Sequence, residues 1–354
     1  MPQLYGRAYT PEELRQFTGH LSQIAGIRLV ELADGKPRGM RVAEVTTGSG
    51  WQFDVHLDRA LDIGAASFAG KPVAWVHPAL GGPWHYDPYG YNWGRTFGGG
   101  LVTTCGLTFF GQPEQDGAET LGLHGRISHT SAENVCVRQA WEGDDYVLSI
   151  EGQARQSAQS AENLLLTRRI STRLGANSLV IEDTVRNDGY RASPHMILYH
   201  CNFGFPVVSP DSELLIHDES VLPHGESVAA ALAYHKTFEP PVGDYAQSVF
   251  FHKPRVAADG FSQAAIVNRT LGFGAYVRWR AAELPCMGQW KQLSASDYVC
   301  ALEPANYWET PRHKLRAEGR LRFLQPGEEV RYHVELGALV DDDSIRAFES
   351  AARR

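Results

Sequence analysis

Read as a pattern of apolar and polar positions, the chain is a succession of short strands. Residues 26–31, 39–46, 51–57 and 60–68 are rich in β-formers and are separated by Gly, Asp, Lys and Pro, the punctuation expected between strands. The clearest alternation runs over 179–187, and residues 164–174 are its expected hairpin partner through Gly175-Ala176-Asn177. The same reading predicts strands over 135–140, 146–154, 196–200, 213–217, 248–252, 263–268, 272–280, 298–302 and 329–336. Helix signals are confined to the ends. Thr10 is placed to cap, Pro11 suits a first helical position and Glu13 completes a capping box, which predicts a helix over about 10–17. A second helix is expected over 342–351. Many short strands with little helix predict an all-β fold, a large sandwich or barrel. No repeat of 20–50 residues is visible, which disfavours a propeller or solenoid. One domain over 1–354 is expected, with an irregular section from Val76 to Gly122.

Composition narrows the partners. Hydrophobic residues make up 43% and charged residues 21%, values that allow a substantial core and exclude long disorder. The 33 Lys and Arg against 41 Asp and Glu give a net charge of −8 without any basic run. Binding to nucleic acid or to an anionic membrane therefore lacks its usual driving force, and a small, largely uncharged partner is expected. The five cysteines are odd in number and contain no C-x-x-C pair, which argues against a disulfide framework or a zinc cage. The first residues lack a signal-peptide pattern and no apolar run is long enough to span a membrane, so the cytoplasm is the expected compartment. Monomer and homodimer stay open.

Three places along the chain carry candidate chemistry. The apolar run Tyr298–Leu302 reads as a buried strand that delivers one carboxylate, Glu303, to its end, and Pro304 is expected to stop the strand because it has no N–H to give. Trp290 is near in sequence. His200 falls at the end of the apolar run from Met196, in Tyr199-His200-Cys201-Asn202-Phe203, where an imidazole suits acid–base work. His124 sits between Gly122 and Gly125, which lets the backbone turn tightly and present the ring. The irregular section adds Trp84-His85-Tyr86, Tyr89, Tyr91, Trp93 and Phe97 on a glycine-rich loop. These aromatics read either as a satellite cluster packed on the protein's own core or as a stacking surface for sugar rings.

Leu123-His124-Gly125, the strand 179–187 leading to His200-Cys201-Asn202-Phe203, and Gln289-Trp290-Lys291 with Leu302-Glu303-Pro304 together resemble the aldose 1-epimerase (galactose mutarotase-like) superfamily. The blocks around Asp58-Arg59-Ala60-Leu61-Asp62, Gly99–Leu107 and Leu123–Arg126 are similar to its bacterial aldose-epimerase-like branch of uncharacterised function. The resemblance implies a large antiparallel β-sandwich with a carbohydrate cleft and no cofactor or metal. It implies Glu303 as general base, His200 as general acid and His124 as a substrate binder. Asn202 and Trp290 fall in the same blocks and are expected at the substrate. The superfamily's Asn-Arg pair ahead of the first histidine is missing, and Arg59 or Arg95 is expected to stand in. Arg126 replaces a glycine, adding a cation suited to a carboxylate, a keto group or a more polar sugar. The implied activity is interconversion of the anomers of a free aldose or derivative by acid–base ring opening.

Other readings compete. A glycosidase would pair Glu303 with Asp58 or Asp62 and leave the histidines without a part. A metal-assisted sugar isomerase or lyase would need clustered ligands, and only a through-space pairing of His124 with His200 offers one. A carbohydrate-binding protein without turnover would need the cleft but neither acid nor base.

Overall fold

The structure is a computed structural model that describes residues 1–351. Its frame is antiparallel. One sheet of eight strands runs in the spatial order Glu133–Glu142, Asp145–Ser157, Asn163–Arg173, Ser178–Asn187, Glu329–Leu339, Phe273–Arg280, Phe261–Asn268, Ser212–Ile216. A second, of six, runs Asp218–Pro223, Ser248–Pro254, Cys286–Leu293, Tyr298–Ala305, Met196–Phe203, Thr103–Leu107. A five-stranded meander, Gly26–Glu31, Arg41–Thr46, Trp51–His56, Asp62–Phe68 and Lys71–Pro72, completes the main layers. The result is a β-sandwich with few short helices, as the strand pattern predicts. The expected hairpin is present, with Leu164 opposite Asn187 and Ser171 opposite Val180.

Alternation explains which side chains fill the space between the sheets. In Ser178–Asn187, Leu179, Ile181, Asp183, Val185 and Asn187 are buried and their neighbours are less so. Tyr199, Cys201, Cys300 and Leu302 of the six-stranded sheet join Ile170, Ile181 and Leu336 of the eight-stranded one in a single apolar cluster. The Tyr199 hydroxyl donates to Asp183 Oδ2 at 2.6 Å, a polar stitch between the two sheets. Met196–Phe203 is buried at every residue, so its second face is covered too, and on that face lie the side chains of interest.

Both predicted helices form. Pro11–Phe17 carries the capping box between Thr10 and Glu13, and the second helix is Asp342–Ala351. Two expectations are corrected. The strand bearing Glu303 does not stop at Pro304 but continues to Ala305. Pro304 stays in register with Met287 on one side, and its missing N–H falls where the ladder to Met196–Phe203 is interrupted, between the Leu198–Ala305 and Cys201–Leu302 pairs. The section from Val76 to Gly122 is also less irregular than its glycines suggest. It contains the buried strand Thr103–Leu107, which pairs with Met196–Phe203, and the short hairpin Glu114–Asp116 with Glu119–Leu121.

Candidate active site

The register just described brings His200 and Glu303 face to face. Leu198 opposes Ala305 and Cys201 opposes Leu302, so His200 falls directly across from Glu303, and cross-strand neighbours point to the same face. Their side chains meet at 3.1 Å, His200 Nε2 to Glu303 Oε1, both almost completely buried. Gly288 on the other neighbouring strand makes room: a Cβ there would lie 2.7 Å from Glu303 Oε2. The glycine lets the carboxyl lean over its strand.

The protonation state of the pair follows from its neighbours. The Asn202 amide nitrogen donates to the carbonyls of Gly100 at 2.9 Å and His200 at 3.0 Å, so its Oδ1 faces His200 Nδ1 at 2.5 Å. An amide oxygen only accepts, hence Nδ1 carries a hydrogen and, in the neutral ring, Nε2 presents its lone pair to Glu303. Burial disfavours both charged forms. It pushes the His200 imidazole down to about 4. Burial, reinforced by the nearby Glu309 carboxylate, pushes Glu303 up to about 8. At neutral pH the pair therefore holds one proton and no net charge, a carboxylic acid hydrogen-bonded to an imidazole. Such a pair can accept a proton from one oxygen while giving its own to another.

Around the pair is a hollow of about 310 Å³, the lower end of the roughly 300–1,000 Å³ usual for small-molecule sites. Trp93, Phe97 and Trp290 form its aromatic walls. Phe97 and Trp290 stand edge-on to the His200 ring at 5.4 and 5.5 Å between centroids. Gln247 Oε1 accepts from the Trp290 indole at 2.9 Å and holds that ring in place. His124 adopts a left-handed backbone, φ 58°, followed by Gly125 at φ 76°. A Cβ on Gly125 would lie 2.3 Å from the Phe109 carbonyl, so that turn needs a glycine. The His124 ring reaches to 5.7 Å of the His200 ring, and its buried Nδ1 has no hydrogen-bond partner. Burial, with His200 adding to it, pushes the His124 imidazole down to about 3, so it is neutral. Glu309 Oε1 is likewise buried and unpartnered at the hollow's wall. A hollow of about 390 Å³ over the eight-stranded sheet is larger, but carboxylates lining it, such as Glu182 with Arg169, are already paired.

Of the residues singled out in the sequence, His124, His200, Glu303 and Trp290 come together in this one hollow. Asn202 lies behind His200, fully buried, with both amide atoms engaged by protein. Arg59 is buried against the Gly81 carbonyl at 2.9 Å and the His129 ring, away from the hollow. Arg95 is exposed and bonds Asn92, and Arg126 is exposed beyond the Gly125 turn, so neither lines it. Asp58 is held by Arg41 and Asp62 by Arg168, which leaves Glu303 without a second carboxylate from that block. Both ring nitrogens of His200 already have partners, so a metal shared with His124 would displace one of them. Glu309 and Gln247 escape sequence reasoning because each stands in a loop without periodic context.

The family model described as "Domain of unknown function (DUF4432)" matches residues 37–338. A search of curated proteins finds no match. Among solved structures, a Klebsiella pneumoniae protein provisionally assigned as an aldose 1-epimerase superposes with a TM-score of 0.87 at 23% identity, over 92% of this chain and 86% of that one. A galactose mutarotase-like protein of Clostridium acetobutylicum gives 0.61 at 13% identity over 89% and 99%. The galactose 1-epimerase of Lactobacillus acidophilus gives 0.58 at 13% over 89% and 98%. At such identities the likeness is one of fold, that of the galactose mutarotase/aldose 1-epimerase-like superfamily. The family match covers most of the sequence, and the chain belongs to the DUF4432 family.

Proposed function

We propose that the protein is a sugar isomerase of the mutarotase type, exchanging the anomers of an uncharged free sugar. The observation that carries this reading is the one-proton His200–Glu303 pair at the wall of a monosaccharide-sized hollow. An anomeric carbon bears two oxygens, one a hydroxyl and one in the ring, close enough to meet both members of a touching pair. His200 Nε2 takes the hydroxyl proton while Glu303 gives its proton to the ring oxygen, and the C1–O5 bond opens. The aldehyde turns about C1–C2. On closure from the other face, the Glu303 carboxylate recovers the O5 proton and the His200 imidazolium returns one to O1. The assignment made from sequence, with Glu303 as base and His200 as acid, describes the other tautomer of this same pair.

The walls support a neutral substrate. Among the described residues, Glu303 and Glu309 are the carboxylates lining the hollow, and no Lys or Arg joins them. An anionic sugar would meet a like charge at Glu309. The open valences of His124 Nδ1 and Glu309 Oε1 suit sugar hydroxyls, and the indoles suit the apolar C–H face of a ring.

Magnetisation-exchange NMR over a panel of aldoses, keto sugars and uronic acids tests the reading. Faster anomer exchange is expected for at least one neutral sugar, with uronic acids slower. Retained binding with no acceleration of any sugar would replace it with a carbohydrate-binding protein. The rate is expected to be flat between about pH 4 and about pH 8. Below that window both groups are protonated and no base remains; above it neither is, and no acid remains. A profile that instead follows one group with an ordinary histidine pKa would remove the shared-proton account. Asn202→Ala is expected to lower kcat about tenfold with KM little changed, the value of one tautomer-setting hydrogen bond of about 1–1.5 kcal/mol.

A further inference from the structure

A second group of ligating side chains lies on the opposite, core-facing side of the six-stranded sheet. Asp218, His235 and His252 each offer one ligand atom, all within 4.8 Å of one another. Their lone pairs are aimed by hydrogen bonds from outside the group. His235 Nδ1 lies 2.7 Å from the Leu232 carbonyl, which only accepts, so that nitrogen carries the hydrogen and Nε2 keeps its lone pair. Nε2 is buried and unpartnered. The Gln289 amide nitrogen donates to the His235 carbonyl at 2.7 Å, which turns Gln289 Oε1 toward His252 Nε2 at 3.0 Å. His252 Nε2 must then donate, leaving the Nδ1 lone pair of the neutral ring facing Asp218 Oδ2 at 3.1 Å.

Asp218 Oδ1 is also buried without a partner. A carboxylate and an imidazole lone pair at that distance repel unless a positive centre lies with them. Lys236 Nζ comes no closer than 4.0 Å to Asp218 and donates to the Ile216 carbonyl at 3.2 Å.

We propose that Asp218, His235 and His252 bind a divalent cation of the zinc class. Two imidazoles and one carboxylate are a donor set that zinc favours, whereas magnesium and calcium ask for oxygen alone. An outer hydrogen bond that fixes the tautomer of each imidazole is the usual company of a metal-bound histidine. Three protein ligands leave a position for water. The ligands come from the edge strand Asp218–Pro223, the inner strand Ser248–Pro254 and the residue after the 3₁₀ segment Glu226–Tyr234. The cation therefore pins that segment to the sheet behind Trp290, whose chain neighbour is Gln289.

Zinc titration calorimetry on the chelator-stripped full chain tests this, with magnesium and calcium as controls. One zinc per chain is expected, bound at least about 10²-fold more tightly than either control. His235 is half-exposed on a surface segment, so His235→Ala should keep the fold by circular dichroism and weaken zinc by about 10²-fold or more. Binding of less than a tenth of an equivalent overturns the proposal. So does unchanged affinity in His235→Ala, which would put the ion elsewhere, or equal affinity for magnesium. The readout is binding, so it stands or falls separately from the sugar reading.

Discussion

Glu303→Gln is expected to lower catalysed anomer exchange by about 10²- to 10⁴-fold, the usual worth of one positioned proton-transfer group. The substitution is nearly isosteric, and the amide can still donate to His200 Nε2, so the pair's contact survives while its mobile proton is lost. His200→Asn is expected to cause a loss of similar size. The double variant should be little slower than the worse single one, because the two groups act as a unit. Near-normal exchange in Glu303→Gln would remove the carboxyl from the mechanism.

A stability measurement separates lost chemistry from lost fold. Burial holds Glu303 at about 8, above the ordinary carboxylate value of 4.5. Between those two pH values the unfolded chain releases a proton that the folded one retains, so this group's contribution falls as pH rises. An uncharged amide escapes that penalty. Glu303→Gln should therefore be more stable than the parent by about 2–4 kcal/mol at pH 8, with the gap closing toward pH 4.5. An inactive variant that unfolds earlier than the parent at pH 8 would mean the loss came from packing.

The strands and the two main acid–base candidates were legible because each depended on local pattern. Alternation over Ser178–Asn187 marks a half-buried strand wherever it is placed, and an apolar run leading to His200 or Glu303 marks a polar group carried on a buried strand, although neither sits at the expected strand end: the strands run on to Phe203 and Ala305. What joins them was not legible. Whether His200 faces Glu303 or the opposite side depends on a register that local pattern does not encode. Thr103–Leu107 escaped because it is buried on both faces and so shows no alternation. Arg59 and Arg95 were alternative stand-ins for a missing arginine and Arg126 an added cation, yet the Gly81 carbonyl, the Asn92 amide oxygen and solvent decide their positions. Asp218, His235 and His252 are too far apart in sequence to form a motif, and only the folded sheet assembles them.

Arg168→Met is expected to destabilise the protein by about 3–5 kcal/mol, the toll of leaving buried carboxylates without their cation. Against a typical total of 5–15 kcal/mol, that removes a large part of the folding free energy. The Arg168 guanidinium has no exposure and binds Asp183 at 2.9 and 2.7 Å, Asp62 at 2.9 Å, Thr104 Oγ1 at 2.8 Å and the Ala60 carbonyl at 3.2 Å. Burial alone would lower its pKa, but Asp183 and Asp62 more than reverse that, so it stays charged. The same two carboxylates tie down the neighbours of the proposed site. Asp62 accepts from the Thr104 backbone and hydroxyl, and Asp183 accepts from Tyr199, next to His200. One cation thus links the five-, six- and eight-stranded sheets directly beneath the strand that carries the imidazole. Burial already holds the Asp62 carboxyl above its ordinary range while Arg168 pulls it back, so removing the cation pushes Asp62 up further and leaves Asp183 without its partner. Stability is then lost as pH rises, so the deficit in denaturant midpoint should be larger at pH 8 than at pH 5. Adding Asp183→Asn to Arg168→Met should recover part of the loss at pH 8 by removing one stranded charge. A deficit below about 1 kcal/mol, or one independent of pH, would mean that water or a rearranged core neutralises the pair and that the sheets are joined chiefly by their apolar faces.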